Sequence, residues 1–235
     1  MIAGLPHYIS GVFIATTALT VGIWYWILGS SADQVVRSST TKVVLGILFW
    51  LILQAILSMM GVYSLDIDSL PPKIVLFGVL PMVLAMCLMF FTSKGRYYID
   101  SLSFKKLTYL NIVRIPVEFV LLWLYLQKQI PAILTFEGWN YDIVMGITAP
   151  LIIYFGFVKQ IFNHSIILIW NVIGVLMLCL VFILAVLSSP FPLQQLAFDQ
   201  PNIGLLHFPY SWLPTFIVPL VIFGHLICIR QLLRR

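Results

Sequence analysis

Seven apolar runs, most about 20 residues long, are separated along this chain by short polar or turn-forming stretches. They cover approximately 8–28, 43–64, 73–92, 107–127, 140–158, 166–188 and 210–229. A helix rising 1.5 Å per residue needs about 20 residues to cross about 30 Å of hydrocarbon, so each run has the length of one membrane span. None shows the apolar–polar alternation of a membrane strand. The pattern therefore predicts an all-α, polytopic transmembrane bundle of seven spans forming one domain over residues 1–235. Turn signals fall between the runs, at Gly29-Ser30-Ser31, Ser38-Ser39-Thr40-Thr41, Pro71-Pro72, Lys94-Gly95-Arg96 and Ser188-Ser189-Pro190. The first run is longer than a signal-peptide core and follows a segment without Lys or Arg, so it is expected to remain as span 1.

Charge adds a direction to this pattern. Only 9% of residues are charged while 61% are hydrophobic, against about one-quarter charged in soluble domains. Ten Lys and Arg residues fall on one side: Arg37 and Lys42, then Lys94, Arg96, Lys105 and Lys106, then Lys159, then Arg230, Arg234 and Arg235. The other side holds only Lys73 and Lys128. The positive-inside rule then predicts a cytoplasmic C-terminus and, with an odd number of spans, an outer N-terminus. Trp139, Tyr141, Tyr210 and Trp212 mark the outer boundary as an aromatic belt, and Trp24 and Trp26 the inner one. Asp66, Asp68, Glu137, Asp142 and Asp199 make the outer mouth acidic. The net charge of +5 thus reflects orientation in a lipid bilayer, and no nucleic-acid partner is expected.

The polar residues inside the runs are few. Arg114-Ile115-Pro116-Val117-Glu118 sets two ionisable residues four apart on one face of span 4, about 6 Å apart along the axis. A charge near the bilayer centre costs at least about 3 kcal/mol, so neither should face lipid. One reading is a mutually neutralising pair that fixes how span 4 packs. The other is a midplane polar site where Glu118 accepts a proton or cation, joined by Gln54, Asn111, Asn171 and His225. Singly, these four residues read as interhelical hydrogen-bond partners. Pro81, Pro116, Pro150 and Pro219 fall at similar depths and free the carbonyls of Phe77, Ile112, Gly146 and Thr215. These prolines predict helix kinks, or a midplane cavity lined by exposed carbonyls.

A second polar group precedes spans 5 and 7, with Glu137, Asn140 and Asp142 in the first segment and Asp199, Gln200 and Asn202 in a loop of about 20 residues. It reads as an outer vestibule, solvated or able to hold a cation, an amine or sugar hydroxyls. Glu137, Asp142, Asp199 and His207 are a minor alternative as a metal set, and no metal is expected. His7 with His207 is the one plausible haem couple, and no cofactor is expected. Cys87, Cys179 and Cys228 lie in apolar runs without zinc or CxxC spacing. No lysine lies inside a span, and HExxH, GxSxG and P-loop motifs are absent, so no catalytic residue is expected.

Leu107-Thr108-Tyr109-Leu110 through Glu118, Thr135-Phe136-Glu137-Gly138, Gly146-Ile147-Thr148-Ala149-Pro150 and Phe198-Asp199-Gln200-Pro201-Asn202 together resemble an uncharacterised family of small multi-pass membrane proteins of Bacteroidetes. The resemblance covers most of the chain and implies a protein of the bacterial inner membrane. It implies no activity or ligand. The functional expectation is binding or translocation of a small solute or ion through the midplane site. The alternative is a non-transporting sensor or assembly protein whose ion pair is structural and whose basic inner loop, 94–106, docks a cytoplasmic partner or anionic lipid.

Overall fold

The computed structural model describes Ile2 and residues 4–234; Arg235, counted above with the inner basic residues, lies outside the described residues. Helices dominate, with no strand among the described residues. They are α1 (His7–Gly29), α2 (Gln34–Met59), α3 (Val75–Phe91), α4 (Ser93–Asp100), α5 (Phe104–Leu126), α6 (Asp142–Val158), α7 (His164–Ser188) and α8 (Leu213–Leu232). Five of these, α1, α2, α5, α7 and α8, are long and apolar enough to cross a membrane. The pair α3 and α4, bent by 90° at their junction, makes a sixth candidate, and α6 is apolar but shorter.

Two stretches expected as loops are helical. Residues Ser38 to Thr41 belong to α2, which starts at Gln34 because the Asp33 carboxylate accepts from the Val36 N–H at 3.0 Å. The hydroxyls of Ser38, Ser39 and Thr40 donate back to carbonyls three residues earlier, so these polar residues extend the helix beyond the apolar run. Lys94-Gly95-Arg96 lies in α4, capped by Thr92 Oγ1, which accepts from Gly95 N–H at 3.1 Å. Asp33 also accepts from the Tyr97 hydroxyl, and that bond first, then the capping N–H, lowers the Asp33 carboxyl below its ordinary value.

The proline-bearing helices deviate where the missing N–H and the ring disturb the hydrogen-bond ladder. A π-helical segment, Val75–Val79, precedes Pro81, another, Leu213–Ile217, precedes Pro219, and a third, Ile152–Val158, follows Pro150. A 3-10 segment, Tyr109–Val113, precedes Pro116. Two of the freed carbonyls find side-chain donors on α2. Gln54 Nε2 donates to Phe77 O at 3.1 Å, and Trp50 Nε1 donates to Thr215 O at 3.0 Å. Gln54 thereby ties α2 to α3, and neither of its hydrogen-bond partners is Arg114 or Glu118. Its Oε1 accepts from the Tyr63 hydroxyl at 2.6 Å. Gln54→Leu strands both the Phe77 carbonyl and the Tyr63 hydroxyl. It should cost about 1–3 kcal/mol in unfolding of the solubilised protein. Tyr63→Phe, which strands only the glutamine oxygen, should cost less, and equal costs would mean that Phe77 O finds another donor.

Helices α3 and α8 are in close contact at Gly78, where a Cβ would lie 2.3 Å from Thr215 Cγ2. Their other ends are joined through α4, whose Asp100 accepts from Arg230 Nε and Nη2 at 2.8 and 3.1 Å and from Arg234 Nη1 at 2.5 Å. At the opposite end of the bundle, segment 127–141 folds over the start of α6 and buries Ile130, Leu134 and Thr135. Gln200 Nε2 anchors it by donating to Tyr125 O and Ile130 O at 3.0 and 2.6 Å.

Candidate functional site

The site forms where α5 and α6 run antiparallel, because α6 begins well below the end of α5. Gly146 of α6 lies against Ile115 of α5: a Cβ there would be 2.8 Å from Ile115 Cγ1. Asp142, one turn earlier in α6, is thereby level with Glu118, one turn later in α5. Glu118 is then about two turns short of the end of α5 at Leu126. Asp142 thus begins its helix inside the bundle, where the N-terminal dipole of α6 also favours its charge.

Arg114, Glu118, Asn140 and Asp142 are all buried, at 3%, 2%, 0% and 5% exposure. The ion pair is not the one the four-residue spacing suggests. Arg114 Nε lies 3.2 Å from Asp142 Oδ2, outside good hydrogen-bond alignment, and among the described residues no ion-pair contact joins Arg114 to Glu118. Arg114 Nη2 donates to Gly174 O of α7 at 3.2 Å, which turns the guanidinium across the bundle instead of along its own helix. Glu118 Oε1 accepts from Asn140 Nδ2 at 2.7 Å. The same nitrogen donates to Leu134 O at 3.0 Å, and Asn140 Oδ1 accepts from the Asp142 N–H at 3.0 Å. Asn140 thus clamps the loop, α5 and α6 together at one point.

The residues expected in an outer vestibule therefore separate. Asn140 and Asp142 belong to the buried cluster, while Glu137 and Asp199 are exposed on the surface. Gln200 and Asn202 are loop anchors: Asn202 Nδ2 donates to Ala185 O and Ser189 Oγ at 3.2 and 3.1 Å. Glu137, Asp142, Asp199 and His207 do not assemble. Among the described residues no group of three or more His, Cys, Asp or Glu side chains is placed to hold a metal ion.

Two of the remaining polar residues, His225 and Asn171, bond each other, and His225 reaches the edge of the cluster. His225 Nδ1 bonds Asn171 Oδ1 at 2.8 Å, and since Asn171 Nδ2 donates to Ile167 O, that oxygen accepts and Nδ1 carries the proton. The histidine edge lies against Gly174, the residue whose carbonyl holds Arg114; a Cβ there would be 2.4 Å from His225 Nε2. Asn111 donates to Thr108 O of its own helix at 3.3 Å. Arg114 Nη1, Glu118 Oε2, Asp142 Oδ1, His225 Nε2 and Asn111 Oδ1 have no hydrogen-bond partner within the protein. That concentration is unusual, since buried polar atoms are nearly always paired.

A cavity of about 30 Å³ adjoins Arg114, Glu118 and Asp142 and is otherwise walled by aliphatic side chains of α5, α7 and α8. A water needs at least about 10–15 Å³ of such space, so one or two small polar species fit. The site is a small buried chamber holding one guanidinium and two carboxylates, with Asn140 of segment 127–141 bonded to Glu118 at its edge.

A family model described as a domain of unknown function, DUF8737, matches residues 71–233. The chain belongs to this family. The stretch shared with DUF8737 contains α3 to α8 and every member of the buried cluster, whereas Trp50, Gln54 and Tyr63 precede it. No curated protein and no solved structure matches the chain.

Proposed function

We propose that this DUF8737 protein is a seven-span protein of a bacterial inner membrane, with its N-terminus outside and C-terminus cytoplasmic, that binds and exchanges a small cation, the proton foremost, at Arg114, Asp142 and Glu118. The observation that carries this reading is the buried chamber itself: one guanidinium pairs with one of two carboxylates, and the carboxylate outside the ion pair keeps one oxygen without a partner. With Arg114 and Asp142 neutralising each other, Glu118 is the group on which a proton balances the chamber's charge. The chamber's size supports a proton over a larger solute, because ligand pockets run to about 300–1,000 Å³.

The seven-span reading counts α3 and α6 as spans and sets α4 across the inner face. Each of the two is about 25 Å long, so the bilayer thins locally or their ends sit within it. A buried start for α6 agrees with the depth of Asp142. Access from the acidic outer mouth then requires segment 127–141 to move.

The experiment is proton flux into proteoliposomes driven by an imposed potential and read with a trapped pH dye. Flux above that of empty vesicles is expected for the wild type, falling at least tenfold in Glu118→Gln. Flux unchanged in Glu118→Gln would remove the proposal. The second reading, a sensor or assembly protein, draws on the near-complete burial of every charged group in the chamber. Its signature is no flux, with Glu118→Gln and Asp142→Asn altering stability alone.

A further inference from the structure

Helices α3 and α8 diverge from their contact at Gly78 and Thr215 and leave a groove of about 560 Å³ between their inner halves. From Val83 to Phe91 and from Leu226 to Arg234, each helix turns residues spaced by three and four toward the other. Such matched stripes ordinarily interdigitate. Here they stand apart, although Phe90 and Phe223 still touch, with ring centroids 5.9 Å apart. A second apolar crevice of about 270 Å³ shares Val83 and Met86 and continues outward beside α7. From Phe91 to Val79 the two together make a track about 18 Å long.

The groove is apolar along its length and cationic at its lip. Arg230 and Arg234 line its inner end, and Arg96 Nη1 donates to the carbonyl of Phe91 at that lip, at 2.8 Å. Arg230 and Arg234 share one carboxylate, Asp100, which Arg234 holds through Nη1 alone, and Arg96 adds a third guanidinium whose Nη2 donates to the Ser93 hydroxyl. The Arg234 side chain is 57% exposed, leaving its remaining donors open to a ligand.

We propose that this groove seats an acyl chain of an anionic phospholipid from the leaflet on the basic side, with its phosphate at Arg230 and Arg234. A long apolar track ending in excess guanidinium charge matches a lipid with a negative headgroup. Neither the zwitterionic bulk lipid nor a second copy of this chain, whose inner end is itself basic, matches that lip as well. The site is independent of the chamber at Arg114 and needs only that the chain lie in a bilayer.

The test reconstitutes the full chain with spin-labelled phosphatidylglycerol or phosphatidylcholine and compares the motionally restricted fractions. Phosphatidylglycerol should be preferred about fivefold at low salt. Arg230→Gln with Arg234→Gln should bring the two lipids to parity. Cys87→Trp, which fills the groove and leaves the arginines in place, should do the same. Millimolar inorganic phosphate should leave the preference intact. No preference in the wild type overturns the proposal. So does a preference surviving Cys87→Trp, which would assign it to the basic face as a whole, or one abolished by free phosphate. A measurement that avoids a bulky substitution is maleimide modification of Cys87 in a Cys179→Ser background. It should be slower in phosphatidylglycerol nanodiscs than in phosphatidylcholine, and equal rates would remove the seat.

Discussion

Arg114→Gln should lower the unfolding free energy of the solubilised protein by about 3–5 kcal/mol, the usual cost of removing one partner from a buried ion pair. The substitution removes the only cation of the chamber and leaves Asp142 and Glu118, both nearly fully buried, without a counter-charge. It also removes the donor to Gly174 O, so α7 loses its tie to α5. The identity of the compensating change distinguishes the two candidate partners. Because the guanidinium reaches Asp142 at 3.2 Å while Glu118 binds Asn140, Asp142→Asn should recover more of the loss in the Arg114→Gln background than Glu118→Gln does. A double-mutant cycle on thermal or denaturant unfolding should give a coupling of about 1–3 kcal/mol for Arg114 with Asp142. A larger coupling with Glu118 would restore the pairing along a single helix and undo the geometry described above.

The contrast between those partners shows what the sequence made legible. Arg114 and Glu118 stand out because charge inside an apolar run is costly, and that argument located the chamber. Their four-residue spacing suggested that they neutralise each other, a relation that holds on an isolated helix. Inside a bundle, the side chain is claimed by whichever neighbour reaches it, and here that is Asp142, 28 positions away in the chain. Asp142 read as a vestibule residue because it opens an apolar run beside Tyr141 and Trp139. Its depth could not be read from that run, 140–158, which has the length of a span; only the helix that forms, Asp142–Val158 at about 25 Å, is shorter than a layer of about 30 Å.

The prolines divide in the same way. Their positions predicted freed carbonyls, and Phe77 and Thr215 are such carbonyls. That Gln54 and Trp50 would serve them could not be read from α2 alone, because the match depends on how deep α2 sits against α3 and α8. The capping residues Asp33 and Thr92 were legible in principle. The apolar pattern hid them, because a hydrophobic run records where lipid and core lie, whereas a helix ends where its hydrogen bonds do.

Gly174→Ala carries the argument to the contact that sequence reasoning had no means of weighting. A methyl at this position would lie 2.4 Å from both Cε1 and Nε2 of His225 and 2.8 Å from Met145 Cε. Met145 is flexible and can yield, but the imidazole is held by Asn171 at 2.8 Å and flanked by Trp170, 5.4 Å away between ring centroids. The ring or α7 must therefore shift, and either movement disturbs the carbonyl that accepts from Arg114. A loss of about 1–3 kcal/mol is expected for such overpacking. It should be smaller in the His225→Ala background than in the wild type, because the clashing ring is gone. Gly46→Ala is the control: that glycine lies inside α2 with no atom within 4 Å of an added Cβ. It should gain about 0.5–1 kcal/mol from helix propensity alone. Opposite signs for the two substitutions would show that Gly174 is kept small by the imidazole behind it; the same sign would mean that the α7–α8 contact is looser than these distances require.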